Sequence, residues 1–272
     1  MQNIVTQDNR KLFFQYERNE GKPRLIFESG LGDDSTVWND VIDLVKNDFS
    51  YLTYDRAGLG KSDLPSFAQS AKTAFLDLKQ IIDSQELEPP FIFVGHSFGG
   101  PLIKRYVEFL ASKEVGLVFV DSSDENYLEM MFAHRNEEQS EYWRKRMETP
   151  PPEELVGVNR EARTSKEVIH SAAKANRFKD FPAINLVCDN VMHLDLTNKS
   201  SSYFDDKLAP YDILVQDNLG WVELHKRWEV VCPHLKVEVV SDCSHYIQKQ
   251  HPTKVAESIF RVAECITNGK RL

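Results

Sequence analysis

The chain is short of several things, and each shortage closes off a class of function. It has only four cysteines, Cys188, Cys232, Cys243 and Cys265, and no two stand as C-x-x-C. Neither a zinc knuckle nor a redox pair is therefore written in it. No apolar run approaches the roughly 20 residues that span a bilayer. The opening Met1-Gln2-Asn3-Ile4-Val5-Thr6-Gln7-Asp8 lacks the basic start and apolar centre of a signal peptide. The expectation is a soluble, cytoplasmic protein that does not insert into membranes. Positive charge is scarce: 33 Lys and Arg against 42 Asp and Glu leave a net charge of −9. Such a surface repels phosphate backbones, so nucleic acid is not an expected partner. There is no H-E-x-x-H and no paired ligand spacing, so no metal is expected. The G-x-G of Asp55-Arg56-Ala57-Gly58-Leu59-Gly60-Lys61-Ser62 has Asp63 where a dinucleotide fingerprint places its third glycine. No cofactor is expected either. Asp55 and Arg56 are expected to tie their own loop together by side-chain-to-backbone bonds.

What is present centres on residues 91–100, Phe-Ile-Phe-Val-Gly-His-Ser-Phe-Gly-Gly. The apolar start suits a buried strand. Gly95-His96-Ser97-Phe98-Gly99 then matches G-x-S-x-G, which puts a serine on a sharp strand-to-helix turn. The turn is tight enough to require glycine two residues to either side. Leu102, Tyr106, Val107 and Leu110 follow at helical spacing. Pro101 is tolerated early in that helix, where the N–H groups lack intrahelical partners. Strand, elbow and helix together make Ser97 a candidate nucleophile.

The rest of the chain alternates in the same way. Residues 11–18, 24–28, 49–54, 116–120, 183–188 and 236–240 read as strands, with a weaker segment at 3–6 that suggests an antiparallel start. Helical faces recur at Val37, Trp38, Val41, Ile42 and Val45, with Ser35 as N-cap, at Phe75, Leu78, Ile81 and Ile82, at Trp221, Leu224 and Trp228, and at Val255, Ile259, Val262 and Ile266. Alternation of this kind predicts a mostly parallel sheet covered by helices on both faces. In such sheets chemistry sits beyond the carboxyl ends of the strands. Ser29-Gly30-Leu31-Gly32 lies at one such end, and it reads either as a plain glycine turn or as an oxyanion loop with the Leu31 N–H aimed at a developing negative oxygen. Between Asn126 and Asp180 the composition turns to Glu, Arg, Lys and Asn with Met130, Met131, Phe132, Tyr142, Trp143 and Met147 interspersed. The expected organisation is a core of residues 1–122 and 183–272 with a helical lid at 123–182, whose Met and aromatic side chains line an acyl pocket. Residues 189–216 read as polar and irregular.

Four segments together resemble the α/β-hydrolase superfamily: Glu28-Ser29-Gly30-Leu31-Gly32, Asp55-Arg56-x-Gly58-x-Gly60-x-Ser62, the 95–99 elbow and Ser244-His245-Tyr246-Ile247-Gln248. The resemblance covers almost the whole chain and implies the α/β-hydrolase fold with a helical cap. It also implies a mechanism. Ser97 attacks a carbonyl carbon, His245 takes its proton and passes it to the leaving group, and a carboxylate orients the imidazole. The N–H groups of Leu31 and Phe98 would form the oxyanion hole. The family supplies the carboxylate from either of two places. Asp121 ends the strand after the elbow helix, while Asp189 and Asp195 follow the penultimate strand, where the usual Gly-x-x-Asp turn is missing; Asp124 is a further candidate. Ser29 stands where family members often carry histidine. His96 falls on the variable position of the elbow and is expected to pack, and His134, His170, His193, His225, His234 and His251 carry no motif. A serine hydrolase acting on a small-molecule carboxylic ester or related acyl group is the expected function. The same residues also fit a cofactor-free perhydrolase or a hydrolase-fold binding protein without turnover.

Overall fold

The structure is a computed structural model that describes residues 2–149, 155–192, 207–269 and 272. Its centre is an eight-stranded sheet: β1 (Gln2–Val5), β2 (Lys11–Glu17), β3 (Arg24–Glu28), β4 (Ser50–Tyr54), β5 (Phe91–His96), β6 (Val115–Val120), β7 (Ala183–Cys188) and β8 (Leu235–Val240), in the order β1-β2-β4-β3-β5-β6-β7-β8. β1 and β2 pair antiparallel, as does β2 with β4, and every other neighbour pair is parallel. β5, β6 and β7 are buried along their whole length, because helices cover both faces and no polar side is needed.

The pleat sorts side chains to the two layers. Phe91 and Phe93 of β5, with Leu117 and Phe119 of β6, point to one core, shared with α2 (Ala71–Ser84) and α3 (Gly99–Phe109). Ile92, Val94, Val118 and Val120 point to the other, shared with α1 (Asn39–Val45) and α9 (Pro252–Asn268). Between β6 and β7 the chain forms α4 (Tyr127–Phe132), α5 (Glu137–Glu148) and α6 (Val156–Ala172). Between β7 and β8 lies α7 (Tyr211–Val231), and the short α8 (Ile247–Gln250) precedes α9. Among the described residues no helix is long and apolar enough to cross a membrane. All four cysteines are buried and none is in a disulfide.

Three local expectations need correction. The helix-entry cap after β3 is Asp34, whose carboxylate accepts from the Thr36 N–H; Ser35 is already the first residue of a 3-10 turn, and its N–H and hydroxyl both donate to Asp55. Tyr211 to Gln216 are helical, the first turns of α7, where an irregular segment was expected. Met131 and Trp143, expected to line an acyl pocket, are buried in a small core of their own with Met192, Ala209 and Leu214. The side chain of Met147 lies outside the described residues.

Candidate active site

The elbow forms because its backbone leaves no other choice. β5 ends at His96, and Ser97 then takes φ +51°, a left-handed conformation that costs a serine on the order of 1–3 kcal/mol. Its N–H donates to the Val120 carbonyl of the neighbouring strand (3.0 Å), and its own carbonyl accepts from Gly100 and Ser123 (both 3.0 Å). These three bonds hold the strained turn. Gly99 is fixed by close approach: a Cβ there would come within 2.3 Å of the Glu28 carbonyl oxygen. The first turn of α3 can thus lie against the end of β3, which carries the Ser29–Gly32 loop.

Ser97, His245 and Asp121 form one hydrogen-bonded line. The Ser97 Oγ is 2.8 Å from His245 Nε2, and His245 Nδ1 is 2.6 Å from Asp121 Oδ2. A carboxylate only accepts, so Nδ1 carries the imidazole proton and the bare Nε2 accepts from the serine hydroxyl. Asp121 follows β6 directly, has φ +43° and is fully buried. Its Oδ1 accepts from the Trp221 indole N–H (2.8 Å) and the Cys188 N–H (2.9 Å). Burial pushes the Asp121 pKa up, but the hydrogen bond and charge of His245, with the Trp221 and Cys188 donors, outweigh it and leave the carboxyl below its ordinary range. Among the other candidates, Asp189 accepts from the Ser241 hydroxyl (2.6 Å), and Asp124 accepts from the Asn126 N–H and the Trp228 indole. Asp195 lies outside the described residues.

Leu31 is exposed and Phe98 is buried. Neither backbone N–H donates to another described residue. Phe98 precedes α3, so its N–H sits at the electropositive end of that helix. The Ser29–Gly32 loop is held from below by Arg56. This buried guanidinium donates to the carbonyls of Ser29 (2.7 Å) and Gly30 (2.5 Å) and to the carboxylates of Glu28 (2.8 Å) and Glu161 (2.6 and 2.8 Å). Burial works against the Arg56 charge, but the Glu161 and Glu28 carboxylates overcome it and hold the pKa well above the ordinary value. Burial raises the Glu28 pKa despite Arg56 and Tyr54 beside it. Asp55 accepts from the Lys61 N–H, the expected tie within its own loop, and from the Ser35 N–H outside it; Arg56, expected to tie the same loop, reaches instead to Glu28, Ser29, Gly30 and Glu161.

Two site features were beyond the sequence. His96 does more than pack: its Nε2 donates to the His245 carbonyl (2.9 Å), and its ring lies 4.8 Å from the His245 ring. Nδ1 is then the bare nitrogen, 3.6 Å from Asp33 Oδ2, and burial depresses the His96 pKa against the pull of Asp33. Glu161, within the segment expected to form a lid, is buried and accepts from the Gly32 N–H in the loop of Leu31. Of the motif-free histidines, His225 is buried between the carbonyls of Trp221 and Ser122, and His193 lies outside the described residues. Among the described residues no three His, Cys, Asp or Glu side chains are arranged to hold a metal ion.

Comparison with known proteins agrees with this architecture. Residues 25–258 match the model of the Alpha/beta hydrolase family. In sequence the chain is similar to the Bacillus subtilis (strain 168) protein YqjL, 26% identical over 121 residues, which are 44% of this chain and 48% of that one. The chain thus spans about half the length of that curated relative. In structure it is similar to a carboxylesterase from the thaumarchaeon Nitrososphaera gargenis, with TM-score 0.65 and 12% identity over 99% of this chain and all of that one (100%). It is also similar to the esterase EaEST of Exiguobacterium antarcticum, with TM-score 0.56 and 15% identity over 96% of this chain and 98% of the other.

Proposed function

The chain belongs to the alpha/beta hydrolase family, and from that premise we propose that it is a serine hydrolase that cleaves carboxylic esters or related acyl substrates through an acyl-enzyme. The observation that carries this reading is the line from Ser97 through His245 to the buried Asp121, built on an elbow whose serine has φ +51°. In the reaction the bare Nε2 of His245 takes the Ser97 proton as Oγ attacks the carbonyl carbon. The imidazolium that forms is stabilised by Asp121 and returns the proton to the leaving group. Water then repeats the cycle on the acyl-enzyme. The N–H groups of Leu31 and Phe98 receive the oxyanion, each worth about 2.7–4 kcal/mol in the transition state. Helices α4 to α6 act as the cap that selects the acyl group, and no cofactor takes part.

A fluorophosphonate probe tests the reading directly. It should label the folded protein and fail on Ser97→Ala. Labelling that persists in Ser97→Ala, or a folded wild type that resists the probe, would refute it, and absence of turnover across p-nitrophenyl esters of rising chain length would leave a binding protein.

A further inference from the structure

We propose that Glu161, on α6, is a positioning residue for the oxyanion hole: it and Arg56 together fix the two peptide groups on either side of Leu31. The inference rests on the serine hydrolase reading and adds a part to it. The Leu31 N–H shares a rigid, planar peptide with the Gly30 carbonyl, and in a trans peptide the two point in opposite directions. Arg56 Nη2 holds the Gly30 oxygen (2.5 Å), so it sets the direction in which the Leu31 N–H points. The next peptide ends in the Gly32 N–H, which donates to Glu161 Oε2 (2.8 Å). That same oxygen accepts from Arg56 Nη2 (2.8 Å), while Glu161 Oε1 accepts from Arg56 Nε (2.6 Å). One ion pair therefore clamps both ends of the Leu31 unit. Gly32 has φ +75°, so this stretch has the freedom to turn its peptides over and needs a clamp.

The rest of α6 is built for the contact. A Cβ on Gly157 would come within 1.7 Å of the Gly58 carbonyl oxygen, and one on Gly32 within 2.9 Å of Val158. The first turns of α6 thus lie against both the 55–62 loop and the loop of Leu31. Glu161 is 2% exposed and Arg56 4%, so water does not compete for these bonds. A helix from the segment between β6 and β7 therefore supplies one support of the hole.

Three substitutions separate positioning from a purely structural ion pair. Glu161→Gln keeps an oxygen for Gly32 N–H and Arg56 Nη2 but loses the charge. Glu161→Asp keeps the charge for Arg56 but is a methylene too short to reach Gly32. Glu161→Ala removes both. Positioning predicts that kcat on a p-nitrophenyl ester falls in the order wild type, Gln, Asp, with Asp and Ala about 10- to 100-fold down, as expected for a small displacement of a catalytic donor. KM should stay within about threefold, and affinity for an alkyl boronic acid, which makes a tetrahedral adduct on the serine, should drop with kcat. A charge-pair role alone predicts the reverse order, Asp above Gln. That order, or Asp within about twofold of wild type in a protein that melts cooperatively, overturns the proposal; if Ala does not fold, the Gln-to-Asp contrast still decides. Wild type without Ser97-dependent turnover would overturn the function and this proposal together, whereas Ser97-dependent turnover that is indifferent to Glu161 overturns this proposal alone.

Discussion

Replacing Asp121 with asparagine removes one charge and almost no volume, and the surroundings dictate how the new amide must sit. Oδ1 of Asp121 receives two N–H donors, from Trp221 and from the Cys188 backbone. An asparagine that turned its NH2 to that side would set donors against donors and leave two buried N–H groups unpaired, at about 1–3 kcal/mol each. The amide oxygen is therefore held on that side, and its NH2 faces His245. Nδ1 of His245 must then accept, and the imidazole proton moves to Nε2, where it meets the Ser97 hydroxyl as a donor rather than a base. A triad in the wrong tautomer typically loses about four powers of ten in kcat, or about 5.4 kcal/mol of activation free energy. The assay is steady-state turnover of a p-nitrophenyl ester near neutral pH, with a thermal melt to establish that the variant is folded. Asp189→Asn is the control, since that carboxylate is bonded to Ser241 and should leave kcat near wild type. An Asp121→Asn variant that is folded and within about tenfold of wild type would refute the reasoning.

Three further outcomes are expected. Arg56→Leu leaves Glu28 and Glu161 buried without their cation, so urea unfolding should show a loss of about 3–5 kcal/mol. Gly99→Ala drives a methyl onto the carbonyls of Glu28 and Ser29, at 2.3 and 3.0 Å; stability should fall by about 1–3 kcal/mol and kcat should fall with it, because β3 and the loop of Leu31 must give way. The lowered pKa of buried His96 sets the sign of a pH effect: the unfolded chain takes up this proton first, so stability should fall as pH drops below about 6.5, through the window down to the folded value. Urea midpoints compared across that window should show a shallower slope in His96→Gln, and an unchanged slope would assign the effect to other groups.

The sequence made some parts of this molecule readable and hid others for physical reasons. β5 and β6 are runs of apolar residues between glycine or polar stops, and the elbow is a local motif, so both are legible from a dozen residues. The start of α7 is not legible in the sequence because the helix packs against the sheet through Trp228 and against α4 through residues near Leu214; apolar residues therefore appear around the cylinder and blur the stripe that marks a helix start. The sequence favours Asp121 over Asp189 only through the missing Gly-x-x-Asp turn after β7, since both carboxylates end strands that precede His245 in the chain, and only the strand positions bring one of them to Nδ1. Glu161 gave no signal at all. It sits in a helix rich in charge, 105 residues from Arg56, where a glutamate ordinarily faces water. His96 was hidden in the same way, since a variable position in a motif says nothing about the ring that will stack on it.

The support behind His245 divides its dependence on sequence unevenly. Strand β7 supports Asp121 through main-chain groups alone: the Leu186 carbonyl accepts from its N–H, and its carboxylate accepts from the Cys188 N–H. Any residue other than proline can provide that group, so position 188 is free to drift as far as this bond is concerned. Trp221 holds the same oxygen through a side chain that no other amino acid reproduces. Drift in a lineage built this way should therefore be lopsided: the strand end that carries the acid in many hydrolases is released to change, while a tryptophan on a helix a hundred residues beyond the aspartate is bound to it. Relatives that share the arrangement should be recognisable by the pairing of that aspartate with that tryptophan rather than by any residue following β7.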